Sequence, residues 1–188
     1  PRGIVIGQIE SHEPSQFGGK LVLRQSRQRY FLTADLYARL QASFGSALSA
    51  AGKDDQRCIG LLLVEMSKSG YLRGVDAAAM LANRQFLPCD SSHEIVMADH
   101  LIAQHRAFRK PLRHTQRAAV HPDFVLTDVA PEVVIEVLGM SGNADYDARM
   151  AEKRAYYLST GTPSIEWDAT AEPILSVRLP PANHTHDG

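Results

Sequence analysis

Two carboxylates and an amine stand out in this sequence by the company they keep. Glu136 falls midway along residues 133–138, Val-Val-Ile-Glu-Val-Leu. That short β-branched run, bounded by Pro131 and Gly139, predicts a buried strand. A lone carboxylate there costs free energy or shifts its pKa, unless a metal ion, a cation or a proton compensates it. Lys153 is the second anomaly. At about 100° per residue, Tyr146, Met150, Lys153 and Tyr157 form one stripe of the next helix, and the lysine is its odd member. The displaced acid and the displaced lysine can satisfy each other, with Asp123 completing a cluster of three charges. Two readings follow, a chemical site or a buried ion cluster holding helix to sheet. Buried ion pairs add little net stability, which favours the site.

These residues need a scaffold, and the second half of the chain supplies one. Ser91 with Glu94 three residues on is a capping-box pattern, followed by a helix to about residue 108 with Ile95, Ala98, Ile102 and Ala103 facing inward. Residues 112–115, 124–126 and 133–138 read as strands. Residues 145–159 read as a helix that Gly161 ends, and 164–167 and 174–177 as further strands. On the far side of the helix over 145–159, Ala144, Ala148, Ala151, Ala155 and Leu158 form a second apolar stripe, so cover on both sides is expected. The order α-β-β-β-α-β predicts an α/β or α+β fold, a mixed sheet flanked by helices.

Pro122-Asp123, then a hydrophobic strand carrying Glu136, then Lys153, resembles the PD-(D/E)XK nuclease-like superfamily. Leu138 stands where most members place the lysine. Some branches carry it on the following helix instead, and Lys153 fits that variant. Glu136-Val137-Leu138-Gly139, Glu152-Lys153, Tyr156 and Gly161 resemble the Uma2-type branch. The stretch from Arg106-Ala107-Phe108-Arg109-Lys110 to Pro122-Asp123-Phe124-Val125-Leu126 is similar to an uncharacterised, often plasmid-borne bacterial family.

The superfamily resemblance implies a restriction-endonuclease-like core and magnesium- or manganese-dependent hydrolysis of DNA phosphodiesters. Such a reaction needs a metal to polarise the phosphate and acidify a water, carboxylates to hold the metal, and a cation to meet developing charge. Asp123, Glu136 and the backbone carbonyl of Val137 are then the expected metal ligands. Lys153 is the cation, and Glu94 an optional fourth member alongside its capping role. Arg106, Arg109, Lys110, Arg113 and Arg117 lie in a stretch with no acid between Asp99 and Asp123. With Arg149 they are candidate phosphate contacts, against the plainer readings of a solvated basic face and of pairing between Arg149 and Asp145. A catalytically inactive DNA-binding or protein-interaction module of a plasmid system is the alternative, with a second copy of the chain or a plasmid-system protein as further partners.

The first part of the chain reads differently. Residues 4–9, 20–24, 30–32, 58–66 and, less plainly, 71–83 are expected strands, with a turn at Gly18-Gly19 and a helix over 34–50 capped by Thr33. No phosphate loop, metal spacing or nucleophile elbow occurs there, and Glu65 is placed at its strand's end. The domains expected are a β-rich module with one helix over 1–88, the nuclease-like domain over 89–180, and a disordered tail over 181–188. At 188 residues and 44% hydrophobic content the chain can bury a substantial core. A net charge of −1 leaves nucleic-acid binding to local charge rather than a global field. Two cysteines, Cys58 and Cys89, are too few for a disulfide scaffold and suit a cytoplasmic protein. No run is apolar enough to span a bilayer and no signal peptide is visible, so no membrane partner is expected. The start at Pro1 suggests a fragment of a longer chain, or a processed one.

Overall fold

Period-two alternation in the first part of the chain builds strands that close on one another. A computed structural model describes residues 2–111, 120–140 and 142–183. They form two units, divided after Ile95. The first holds β1 (Arg2–Ser15), β2 (Gly18–Leu23), β3 (Arg29–Thr33), α1 (Ala34–Leu48), β4 (Gln56–Met66) and β5 (Leu72–Asn83). The strands form a closed barrel in the order β1-β2-β3-β5-β4, with β1 also pairing β4. All pairs are antiparallel except β3 with β5. A five-stranded barrel of this order, with a helix between β3 and β4, has the arrangement of an OB-fold.

Ile9, Leu21, Leu23, Leu32, Leu62 and Leu81 are buried in this unit, along with Leu36 and Leu40 of α1. Thr33 caps α1 by accepting the Leu36 N–H at 3.3 Å. Gly19 lets α1 approach, because a Cβ there would stand 2.2 Å from the Tyr37 ring. Residues 72–83, whose alanines favour a helix, form a strand because they pair along nearly their whole length with the long strand β4.

The second unit is built on a four-stranded sheet, β6 (Phe108–Arg109), β7 (Phe124–Leu126), β8 (Val133–Leu138) and β9 (Ser164–Asp168), in that order. The first two pairings are antiparallel and β8–β9 is parallel. A parallel neighbour needs a crossover, and α3 (Ala144–Thr160) provides it. Asn143 caps its start and Gly161, at φ 64°, its end. With α2 (Ser92–Ala103) ahead of the sheet, the order is α-β-β-β-α-β, its first strand lying at Phe108–Arg109, where the sequence reading placed the end of a helix, and the fold is α+β with mixed sheets.

Four details correct the sequence reading. The helix expected to reach residue 108 ends at Ala103, because His105 turns left-handed at φ 53°. The His105 N–H donates to the Ile102 carbonyl and the Arg106 N–H to the Leu101 carbonyl, a Schellman cap that closes the helix. On α2 the inward face includes Met97 and Leu101, whereas Ile102 is half-buried and Ala103 exposed. Residues 174–176 form a 3-10 turn, not a strand; Pro173 precedes it and Leu175 is exposed. The alanine stripe of α3 is exposed, and so is Leu158. Alanine is a strong helix former, so that stripe reflects helix propensity rather than a second packing face. The strand expected over 112–115 lies outside the described residues. So does most of the tail, although the Asn183 N–H donates to the Asp128 carbonyl at 2.6 Å.

Candidate functional site

The register of β7 on β8 places the acids. Phe124 faces Ile135, Val125 faces Val134 and Leu126 faces Val133. One step beyond the Phe124–Ile135 pair, the same register brings Asp123 opposite Glu136. Both then share the sheet face that carries Val125 and Val134, and Tyr157 of α3 packs on those two valines. The stripe read from the sequence therefore points at this face: Met150 and Tyr157 are buried, Tyr146 and Lys153 half-buried.

Glu136 is 1% exposed and fully engaged. Lys153 Nζ donates to Oε2 at 2.6 Å, and the Tyr157 hydroxyl donates to Oε1. Lys153 Nζ also donates to the His121 carbonyl at 2.8 Å, so the amine is fixed between the sheet and the chain entering it. Asp123 Oδ2 accepts the Val137 N–H at 2.8 Å. Burial raises the Asp123 pKa, and the Glu136 charge adds to it; the Val137 N–H, Lys153 and Lys110 oppose. Two carboxylates thus share one poorly solvated place with one lysine between helix and sheet. Burial likewise raises the Tyr157 hydroxyl, with Glu136 next in effect. Burial also raises Tyr146, whose hydroxyl donates to the Val137 carbonyl at 3.3 Å and accepts the Gly139 N–H at 3.3 Å. A cleft of about 310 Å³ shares His121 and Tyr157 with the cluster and is also lined by Arg109, Pro122, Glu132 and Tyr156.

The donors, two carboxylates and the Val137 carbonyl, are the hard oxygens that magnesium or manganese selects. Burial, with the Glu136 charge beside it, raises Asp123, and a divalent ion would offset both. Among the described residues no three His, Cys, Asp or Glu side chains converge, so any ion must draw on that backbone oxygen or on solvent.

The other candidates are placed as follows. Glu94 belongs to the first unit and carries out its capping role: its N–H donates to Ser91 Oγ at 3.1 Å and its carboxylate accepts the Asp90 N–H at 2.9 Å. Arg106 forks onto Asp128 at 2.7 and 2.8 Å with its side chain only 7% exposed, so it braces the β6–β7 region rather than facing solvent. Arg109 forks onto Glu132 at the surface. Lys110 lies over the Phe124 ring, 4.9 Å from its centroid. Phe108 packs edge-on against Phe124. Arg149 donates to the Asp145 carbonyl and stacks over Tyr146. Arg113 and Arg117 lie outside the described residues. Glu166 is gripped by Arg154 through two bonds of 2.6 Å.

Sequence reasoning left three participants unassigned. Tyr157 had a signal, since it follows Lys153 by four residues and so shares its face. Asp128 and the His121 carbonyl had none, because each acts through a contact distant in sequence.

The family model described as Protein of unknown function (DUF1173) matches residues 3–170. The chain belongs to that family. The matched span runs through the barrel and through Asp123, Glu136 and Lys153 alike, so the family is defined over both units. No curated protein and no solved structure matches the chain.

Proposed function

We propose that the second unit is a PD-(D/E)XK nuclease-like domain, in the variant whose lysine has moved to the following helix, and that it hydrolyses DNA phosphodiester bonds with magnesium or manganese. The observation that carries this reading is the 2.6 Å contact between Lys153 of α3 and Glu136 of β8, with Asp123 next in register on the same sheet face. Element order and strand directions agree with it. Asp123, Glu136 and the Val137 carbonyl would hold the ion, which supplies Lewis-acid polarisation of the phosphate and a lower water pKa when bound. Lys153 would meet the negative charge that develops on the phosphate, and Tyr157 and the His121 carbonyl would hold Glu136 and Lys153 in place. Cys58 and Cys89 are buried thiols not joined in a disulfide, in keeping with a cytoplasmic setting.

The test is cleavage of plasmid and linear DNA by the full chain with Mn²⁺ or Mg²⁺, parent against Asp123→Ala. The parent should nick or degrade DNA, and the variant should lose about a hundredfold or more. A parent inactive with both ions would sink the enzymatic reading.

A second reading has its own observation. Both Glu136 oxygens are already engaged, and Leu138 occupies the usual lysine position. The domain would then keep the fold without cleaving, as a DNA-binding or protein-interaction module. Retained DNA affinity without metal uptake favours a binding module. Absent salt-dependent DNA affinity, with tolerance of paired Glu136→Gln and Lys153→Met, favours protein interaction.

A further inference from the structure

The barrel registers line up a row of side chains around its outside. Arg2 faces Glu65, Glu65 faces Arg73, Arg73 is level with Phe31, Phe31 faces Lys20, and Lys20 faces Glu13. All six are exposed or half-buried, while their chain neighbours Gly19, Leu21, Leu32, Val64 and Gly74 are buried. The row therefore faces outward across every strand. Phe31 stands near its middle with a cation on either side. The Tyr71 ring meets Phe31 edge-on at 5.4 Å and is 45% exposed.

Glu65 holds both Arg73 and Arg2, and Glu13 holds Lys20, so the cations are positioned rather than dangling. Arg29, two pairs further along β2–β3 and so on the same face, and Lys68, in the β4–β5 turn, are exposed. A cleft of about 560 Å³ lies alongside, lined by Arg2, Met66, Lys68, Tyr71 and Arg73 among others.

We propose that this face binds single-stranded nucleic acid, with bases stacking on Phe31 and Tyr71 and the backbone running along Lys20, Arg29, Lys68 and Arg73. Open aromatic rings edged by cations match the two things an unpaired strand offers, base faces and phosphates. A duplex hides its base faces, so it uses only half of the surface. The barrel topology agrees, since OB-fold barrels present β2, β3 and the β4–β5 turn to oligonucleotides. This inference stands apart from the cluster in the second unit.

The test is fluorescence anisotropy of a labelled oligothymidylate of about 15 nucleotides with the full chain, a length within OB-fold site sizes. EDTA is present, so neither metal nor cleavage enters the reading. The parent should bind it at least tenfold more tightly than the corresponding duplex. Tyr71→Ala should weaken binding about tenfold, and Phe31→Ala with Tyr71→Ala more, whereas Phe31→Trp should retain it. Arg29→Gln should flatten the dependence of log affinity on log salt by roughly 0.7. Tyr71 and Arg29 are exposed, so their variants should melt with the parent and report binding alone. A parent that does not bind the oligothymidylate overturns the proposal. So does a Tyr71→Ala chain that folds and binds as tightly as the parent, or a duplex that competes equally. An inactive nuclease site with this binding intact would sink only the earlier reading.

Discussion

Glu65 and Glu136 each interrupt an apolar strand, one in each unit, and the chain treats them differently. Glu65 ends β4 at the barrel surface and is shared by Arg73 and Arg2, whose side chains are about half-exposed or more. Glu136 sits in mid-strand, 1% exposed, closed in by Lys153 and Tyr157. The first acid stays partly hydrated, its side chain 24% exposed, and its ion pairs order a surface row. The second has given up its hydration entirely, and a well-packed apolar residue would serve a purely structural purpose at least as well. A fully desolvated carboxylate kept beside a second, repelled one is the contrast on which the proposed site rests.

The largest effect should come from breaking the buried pair. Lys153→Met leaves Glu136 with only Tyr157 and should cost about 3 kcal/mol by denaturant unfolding. Adding Glu136→Gln should recover most of that loss. Glu65→Gln should leave the melting temperature essentially unchanged. If Glu65→Gln proved as damaging as Lys153→Met, the contrast between the two acids would be lost.

Next in size is the brace at β6–β7. Arg106→Ala removes a bidentate contact to Asp128 and should cost about 2 kcal/mol, whereas Arg109→Ala at the surface should cost well under about 1. The Arg106 guanidinium holds the Asp128 carboxyl below its usual range. Its contribution is therefore present above the unfolded value and lost as pH falls through the folded one. The stability gap between parent and Arg106→Ala should accordingly narrow below about pH 4.

The smallest effect should have the opposite sign. Burial, with the Glu136 charge, raises Asp123, so its ionised form is a burden at neutral pH that is absent below the unfolded pKa. Asp123→Asn keeps an acceptor for the Val137 N–H and removes the charge. In metal-free buffer it should raise the melting temperature slightly, and with Mn²⁺ or Mg²⁺ supplied it should abolish the proposed cleavage. A lower melting temperature would show that Asp123 serves the fold rather than a ligand.

The features legible in the sequence were local ones. β7 and β8 begin and end where their apolar runs, Pro131 and Gly139 set them, and Thr33 and Gly161 bound their helices as their types dictate. The meeting of Lys153 with Glu136 was legible because two periodicities each contained one misfit. Barrel closure was not, since it depends on β1 pairing with β4 more than fifty residues away and on a parallel β3–β5 contact. The end of α2 was obscure because His105 is not a residue type that announces a left-handed turn. Arg106 looked like a phosphate ligand because its partner, Asp128, lies on the far side of a strand.

The proposed cation site between Asp123 and Glu136 can be read by titration calorimetry of Mn²⁺ into the full chain, parent beside Asp123→Asn at matched folding. Saturable uptake by the parent, lost in the variant, is the expected result. A parent that takes up no ion, or a variant that binds it equally well, would rule the site out.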